Sequence, residues 1–311
     1  MTTPSPAPAS FVDALAAGPL VLDGGLSTGL ERRGHDLRTP LWTALQLLED
    51  PGAIGAVHGD FFRAGAQVAI TASYQVSYSG FAAAGLDDER TEAALRESVA
   101  LARRAAQDSE SGEGPRWVAA SVGPYGAAQA DGSEYRGDDG LTVAQLRAWH
   151  RARLQVLMEA GADVLALETV PSAREAEALL AEVAGTGRPA WLSLTCARGR
   201  TRDGVPAEEA FALAREVPEV VAVGVNCVDP AEADTLIALA AQASGKPVVV
   251  YPNGGRRWDG AAREWTGSPT ALADRADGWI TAGARLVGGC CEVGPDELRP
   301  LAERVRRADR V

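Results

Sequence analysis

The sequence predicts a single α/β domain, a (β/α)8 barrel of the TIM type, and three observations carry that prediction. Short apolar runs alternate with helical patterns from one end of the 311-residue chain to the other, eight of each. Several connections from helix to strand are short and contain glycine, as helix C-termini prefer, whereas connections from strand to helix are long. No Gly-x-Gly-x-x-Gly follows the first apolar run, which counts against a doubly wound open sheet with the same alternation.

In chain order the strands are expected at Leu20–Asp23, Val68–Thr71, Trp117–Val122, Val164–Glu168, Ala190–Leu194, Ala222–Asn226, Val248–Tyr251 and Leu286–Gly289. Most are β-branched or leucine-rich and largely uncharged, as strands covered on both faces should be. Helices are expected at Gly52–Ala64, Glu89–Asp108, Val143–Ala160, Ala173–Ala184, Ala207–Glu216, Ala231–Ala243, Pro269–Ala282 and Pro295–Arg307. The long connections at about 24–51, 72–88, 123–142, 195–206 and 252–268 leave the strand C-terminal ends, where barrels build their active sites. The polar stretch Ser109–Pro115 is the one long helix-to-strand loop and has no evident role. Residues 1–10, MTTPSPAPAS, lack the basic and apolar regions of a signal peptide and are expected to be disordered, leaving 11–311 as the barrel domain.

Hydrophobic residues make up 46% of the chain and charged residues 23%, a globular balance. The 42 acidic residues against 30 basic ones give a net charge of −12, which argues against nucleic acid or an anionic membrane as the main partner. Lys246 is the single lysine, so Schiff-base chemistry would have to use it. No run of about 18 apolar residues is present, and four cysteines do not make a disulfide scaffold. The default compartment is therefore the cytoplasm.

In a barrel the strand C-terminal ends share one rim. That rim collects Asp23, Glu168, Cys227, Cys290 and Cys291, although they are far apart in sequence. The sixth and eighth strands are separated by one neighbour, so their ends lie roughly 10 Å apart before side chains lean inward. A Gly288-Gly289 lead-in allows an irregular turn that could aim both adjacent thiols at one point. Three thiolates suit Zn²⁺ and leave a fourth position open for chemistry; the alternative is a set of small buried cysteines. Asp23 is either a ligand-binding group or the turn residue of Asp-Gly-Gly. Glu168 ends an otherwise apolar strand, where a carboxylate is costly unless paired. Cys196 reads as structural, and His58 and His150 as surface or helix-packing residues; His35 falls in the first long loop. Trp42, Tyr125, Tyr251 and Trp258 lie in or beside rim loops, where they either line a pocket for a cation or pack the loops.

The segments LDGGLSTGLERRG (22–34), TASYQ (71–75), LETVPS (167–172), GVNC (224–227), VYPNGG (250–255) and GGCC (288–291) together resemble the homocysteine S-methyltransferases, in register from about residue 20 to 305. The resemblance implies one zinc ion per chain on Cys227, Cys290 and Cys291. It also implies a homocysteine amino group held by Asp23 and Glu168, with Gly24 and Asn226 beside it. Tyr251, Asn226 and water are candidates for the fourth zinc ligand in the absence of substrate. Zinc would lower the pKa of the homocysteine thiol, so no further general base is required.

The implied reaction moves a methyl group to L-homocysteine, giving methionine, from a sulfonium donor. S-methylmethionine is expected first and S-adenosylmethionine second, in a pocket that includes Tyr74, Gln75, Tyr251 and Glu292. Relatives often continue GGCC with Arg or Gly and then Thr-Thr-Pro; here Glu292-Val293-Gly294-Pro295 follows. Glu292 is expected to favour a cationic donor over the anionic methyltetrahydrofolate. Betaine-using members carry a C-terminal extension that does not follow the last helix pattern here. The alternative is a homocysteine-presenting module served by another donor or partner protein, and a third reading is a zinc-binding barrel without activity. No obligatory protein partner is expected.

Overall fold

Residues 10–108, 114–259 and 264–308 are described by the structure, a computed structural model. Of residues 1–10, expected to be disordered, 1–9 lie outside this set, as do most of the polar 109–115 loop and the Trp258 side chain, whereas Ser10 is ordered as a helix cap. Eight parallel strands alternate with helices: β1 (Leu20–Val21), β2 (Val68–Ile70), β3 (Trp117–Val122), β4 (Val164–Val170), β5 (Ala190–Leu194), β6 (Val220–Asn226), β7 (Val248–Tyr251) and β8 (Ala284–Val287). They pair in the order β1-β8-β7-β6-β5-β4-β3-β2. The two ends meet through a parallel bridge between Leu22 and Val68, where Asp23 N donates to Val68 O at 3.0 Å. That contact closes the barrel and removes the free sheet edges.

Period-two alternation sends one set of side chains inward. Leu20, Leu22, Val68, Trp117, Ala119, Val164, Ala166, Trp191, Ala222, Val249 and Leu286 fill the barrel interior. The complementary set, Val118, Ala120, Leu165, Leu167, Leu192 and Val223 among others, packs outward beneath the helices. Toward the C-terminal ends the inward stripe turns polar, through Ser121, Glu168, Ser193 and Asn226, all buried. A packed apolar floor thus supports a polar upper layer.

The sequence pattern missed the first helix, α1 (Phe11–Ala17), capped by the Ser10 hydroxyl, which accepts from Asp13 N. Phe11 stands edge-on to Trp117 at 6.2 Å and lies 6.4 Å from Trp191, plugging the N-terminal mouth of the barrel. Also missed were α2 (Leu26–Arg32) and a short helix at Tyr78–Ala83, within two of the rim loops. Two turns are too few for helical periodicity to stand out. The expected helix at Pro269–Ala282 is reduced to Ala276–Thr281, preceded by one 3-10 turn. The expected Ala207–Glu216 helix ends at Ala212. His58 and His150 are wholly buried, so the surface option for them is excluded. His150 Nε2 pairs with Glu175 Oε1 at 2.8 Å.

Candidate metal centre and active-site cavity

A cavity of about 590 Å³ sits at the C-terminal ends of the strands, lined by residues from the rim loops and by the three clustered thiols. Cys227 follows β6 directly, and Cys290 and Cys291 follow β8. Cys227 Sγ is 2.8 Å from Cys290 Sγ and 3.9 Å from Cys291 Sγ, and all three sulfurs lie within 4.8 Å of one another. Zinc about 2.3 Å from each sulfur of a tetrahedron requires sulfurs about 3.8 Å apart. The Cys227–Cys291 pair has this spacing, and Cys290 would move outward by about 1 Å. The donor set therefore fits a soft divalent ion with one position left for a ligand.

Hydrogen bonds shared with its two partner thiols hold the Cys227 pKa well below the usual range and push those of Cys290 and Cys291 up. The Tyr135 hydroxyl adds a long contact to Cys227 Sγ at 3.7 Å. The backbone around the thiols is fixed by the loop after β7. Cys290 N donates to Pro252 O at 2.8 Å, and Gly254 N donates to Cys291 O at 2.8 Å. Cys227 and Glu292 both take left-handed backbone, with φ of +51° and +67°. The glycine pair has a different role from the expected one. Neither Gly288 nor Gly289 is among the positive-φ residues. A Cβ on Gly289 would lie 2.3 Å from Val293 Cγ1, and one on Gly288 2.6 Å from Leu22 Cβ. Close packing, rather than a positive φ, demands glycine here: Gly288 lies on the end of the first strand and Gly289 on Val293 of its own turn. Gly24 meets the same constraint, its Cβ position being 2.2 Å from Val293 O.

Cys196 stands apart. It is buried in the Cys196–Ala197/Arg200–Thr201 hairpin, and burial pushes its thiol up to about 12. Among the described residues the metal-competent cluster contains only the other three cysteines.

Glu168 lines the cavity beside the thiols. Its Oε1 accepts from Ser121 Oγ and its Oε2 from Tyr251 OH at 3.0 Å. Burial raises its pKa to about 7 against the pull of these two hydrogen bonds. The chain reaches this geometry through a bulge in β4: Leu167 pairs with Leu192, but Val170 pairs with Leu194, leaving one extra residue. Thr169 sits in the bulge with φ +56°, a strained position for a β-branched residue. Asn226 holds it there. Its Oδ1 accepts from Thr169 N at 2.7 Å and from Ser193 Oγ at 2.8 Å, while its Nδ2 donates to Thr169 Oγ1 at 2.7 Å. Asn226 reaches the cavity wall, but most of its hydrogen-bonding capacity is engaged by Thr169 and Ser193, holding the bulge next to Glu168.

Asp23 is 1% exposed and sits behind Gly24 and Gly25, which do line the cavity. Its Oδ2 accepts from Ile70 N at 2.8 Å, whereas Oδ1 is buried with no partner. Desolvation holds its pKa well above the usual range, with the Glu168 charge adding to the shift. Glu168 in the cavity wall and Asp23 behind it, with one unused oxygen, are two interacting carboxyl groups whose combined charge would suit a cationic group.

The expected donor pocket is corrected in part. Tyr74 and Gln75 line the cavity. The Tyr74 ring is edge-on to Trp42 at 5.9 Å. Gln75 Nε2 donates to Pro40 O at 3.0 Å and to Ala127 O at 2.8 Å, tying two rim loops together. The Tyr251 hydroxyl is engaged by Glu168 and by Trp191 Nε1 at 3.1 Å. Glu292 does not line the cavity. Its carboxylate lies 2.6 Å from Arg256 Nη2, which offsets the negative field expected at the donor. Tyr125 packs edge-on to Trp149 and is likewise outside the lining. Sequence reasoning missed Glu134 and Tyr135, which reach the cavity from a 3-10 turn after β3. The stretch Asp131-Gly132-Ser133 before them reads only as loop, so no periodic signal could have flagged them.

Behind this wall Arg153, 1% exposed, donates to the carbonyls of Gly123 at 3.0 Å and Tyr74 at 3.1 Å. Its ring neighbour is Trp149, 5.2 Å from the guanidinium. Arg153→Met would strip these carbonyls of their charged donor, at about 1–3 kcal/mol for each buried group left unpaired. We expect urea denaturation to show a loss of at least about 2 kcal/mol, with zinc content unchanged in the folded variant. A loss under about 0.5 kcal/mol would contradict this role for the buried arginine.

Residues 20–305 match the sequence profile described as homocysteine S-methyltransferase. The homocysteine S-methyltransferase of Escherichia coli K12 is 44% identical over 294 residues, covering 92% of this chain and 94% of that protein. Homocysteine S-methyltransferase 4 of Zea mays is 43% identical over 312 residues, covering 94% and 91%. The crystal structure of the E. coli homocysteine methyltransferase MmuM in its metallated form superposes with a TM-score of 0.82 at 42% identity, covering 92% of this chain and 96% of that one. With the barrel, the thiol cluster and the paired carboxyl groups already in place, this similarity has one meaning: the chain belongs to the homocysteine S-methyltransferase family.

Proposed function

We propose that this enzyme transfers a methyl group from a sulfonium donor, S-methylmethionine or else S-adenosylmethionine, to the sulfur of L-homocysteine, and that it carries one zinc ion on Cys227, Cys290 and Cys291. Methyl transfer to homocysteine, giving methionine, follows from the family. The observation that supports the rest is one cavity lined by three clustered thiols, the buried Glu168 carboxyl group and aromatic side chains, with Asp23 buried behind its Gly24–Gly25 wall. When bound, zinc would hold the homocysteine sulfur as its thiolate at neutral pH.

The chain's own residues supply the rest. Glu168 and Asp23 take the homocysteine ammonium and fix the direction of its side chain toward the thiols. Ser121 and Tyr251 keep Glu168 aimed by donating to both of its oxygens. Tyr74, Trp42 and Tyr135 border the space beyond the thiols, where their π faces suit a cationic donor. The thiolate attacks the donor methyl carbon in line. The carbon–sulfur bond of the donor breaks, its electron pair returns to the donor sulfur, and the positive charge disappears as two neutral thioethers form. Holding the two sulfurs across one methyl group is the main task of such a site.

The test is methyl transfer to homocysteine from trideuteromethyl-labelled S-methylmethionine, S-adenosylmethionine and betaine in parallel, with labelled methionine read by mass spectrometry. Turnover should be fastest with S-methylmethionine and negligible with betaine. Transfer from betaine alone, or from none of the three, would overturn the sulfonium reading.

A further inference from the structure

We infer that Glu134 binds the donor molecule, through a cationic amino group that the donor carries away from its reacting sulfur. The inference rests on the sulfonium-donor reading above and specifies what recognises the donor. Glu134 belongs to the 3-10 turn Ser133–Tyr135 and lines the cavity that contains the thiols. Its Oε2 is buried and has no hydrogen-bond partner. A buried carboxylate oxygen without a partner is costly, and a ligand that brings a donor relieves that cost.

The turn is built to keep the carboxylate in place. Ser133 N donates to Asp131 Oδ1 at 2.9 Å, and Ser133 Oγ donates to Gly126 O at 3.1 Å. A Cβ on Gly126 would lie 2.5 Å from Glu134 N, so the two loop segments are in close contact. The nearby cations are engaged elsewhere. Arg136 pairs with Asp131 and Asp138, and Arg38 is bidentate on Asp36; Arg202 lies over the Tyr135 ring at 5.7 Å and donates to Thr195 Oγ1 at 3.0 Å, with its Nε unpartnered and no bond to Glu134. Glu134 is thus a third carboxyl group of the site, separate from the Asp23–Glu168 pair that the homocysteine ammonium would occupy. Glu134 shares the cavity lining with Tyr74 and with Tyr135, whose hydroxyl reaches Cys227, and this is the wall to which the donor is assigned above.

The chemistry selects which positive charge Glu134 takes. The sulfonium charge disappears as the methyl group leaves, so a carboxylate bound to it would stabilise the reactant more than the transition state. An amino group keeps its charge throughout, and binding it lowers the donor KM without slowing the methyl transfer. S-methylmethionine has such an ammonium; (3-dimethylsulfonio)propionate has the same sulfonium but none.

The experiment compares wild type with Glu134→Gln on these two donors, with homocysteine saturating. The donor KM for S-methylmethionine should rise about 10- to 100-fold, with kcat within about 3-fold. The KM for (3-dimethylsulfonio)propionate should hardly change, and zinc content and homocysteine KM should match wild type. An unchanged S-methylmethionine KM, or equal losses with both donors, overturns the inference. If Glu134→Gln does not fold, the wild type alone decides: it should prefer S-methylmethionine by a similar factor in KM, and equal KM values for the two donors overturn the assignment. Absence of turnover with any sulfonium in the wild type is a different result, which rejects the donor reading itself.

Discussion

Cys290→Ser should leave the folded protein with well under half an equivalent of zinc and reduce methionine formation by more than about 100-fold. The sulfur it removes lies 2.8 Å from Cys227 Sγ, within the three-sulfur cluster. A serine hydroxyl is a harder ligand and far less acidic than a thiol, so two thiolates would remain where three are needed. Cys196→Ser is the matched control. That thiol is buried in its own hairpin, outside the cluster, and its raised pKa keeps it protonated. Its replacement should preserve both zinc and activity. Zinc measured by inductively coupled plasma mass spectrometry on both variants settles the ligand set. Full occupancy in Cys290→Ser, or loss of zinc in Cys196→Ser, would contradict it. Metal also links to stability, so chelation should lower the wild-type melting temperature and leave that of Cys290→Ser nearly unaffected.

The thiol cluster was legible in the sequence because barrel topology does the work. Once eight strands were counted, every C-terminal strand end had to share a rim, and Cys227 and Cys290-Cys291 fell one strand apart on it. Glu168 drew notice because a carboxyl group at the end of an apolar strand needs an explanation, whereas Asp23 stood open between a ligand-binding group and a turn residue until the family resemblance pointed to it. What was hidden depends on conformations that composition does not reveal. The left-handed Thr169 that forms the β4 bulge carries no glycine to mark it, and Asn226 looked like a substrate contact because its bond to a backbone 57 residues away has no sequence signature. Glu292 looked like a donor determinant until Arg256, from another rim loop, proved to be its partner. Glu134 falls in the long 123–142 connection with no motif to single it out. None of these facts comes from periodicity: the Thr169–Asn226 bonds join two strand ends, the Arg256–Glu292 pair joins two rim loops, and Glu134 is placed by a single 3-10 turn.

Glu168→Gln should weaken homocysteine binding by about 10- to 150-fold while zinc content stays full. The carboxylate would lose its charge toward the substrate ammonium. The glutamine amide could also accept only one of the hydrogen bonds now donated by Ser121 and Tyr251. A pH series separates recognition of the ammonium from simple disturbance of the site. Burial raises the Glu168 pKa to about 7, so in the empty site the group is largely protonated below that value. With the folded pKa above the unfolded one, its contribution to stability is complete below the unfolded value of 4.5 and is lost as pH rises through about 7. A bound ammonium reverses that preference, because it requires the ionised carboxylate. Homocysteine should therefore gain affinity over 3-mercaptopropionate, which lacks the amino group, as pH rises from about 5.5 to 7.5. Both ligands carry the thiol, so release of the thiol proton cancels in the ratio. In Glu168→Gln the ratio should be smaller and much flatter across the same range. A wild-type protein that bound 3-mercaptopropionate as tightly as homocysteine at pH 7.5, or a ratio with the same pH dependence in the variant, would show that Glu168 does not recognise the ammonium.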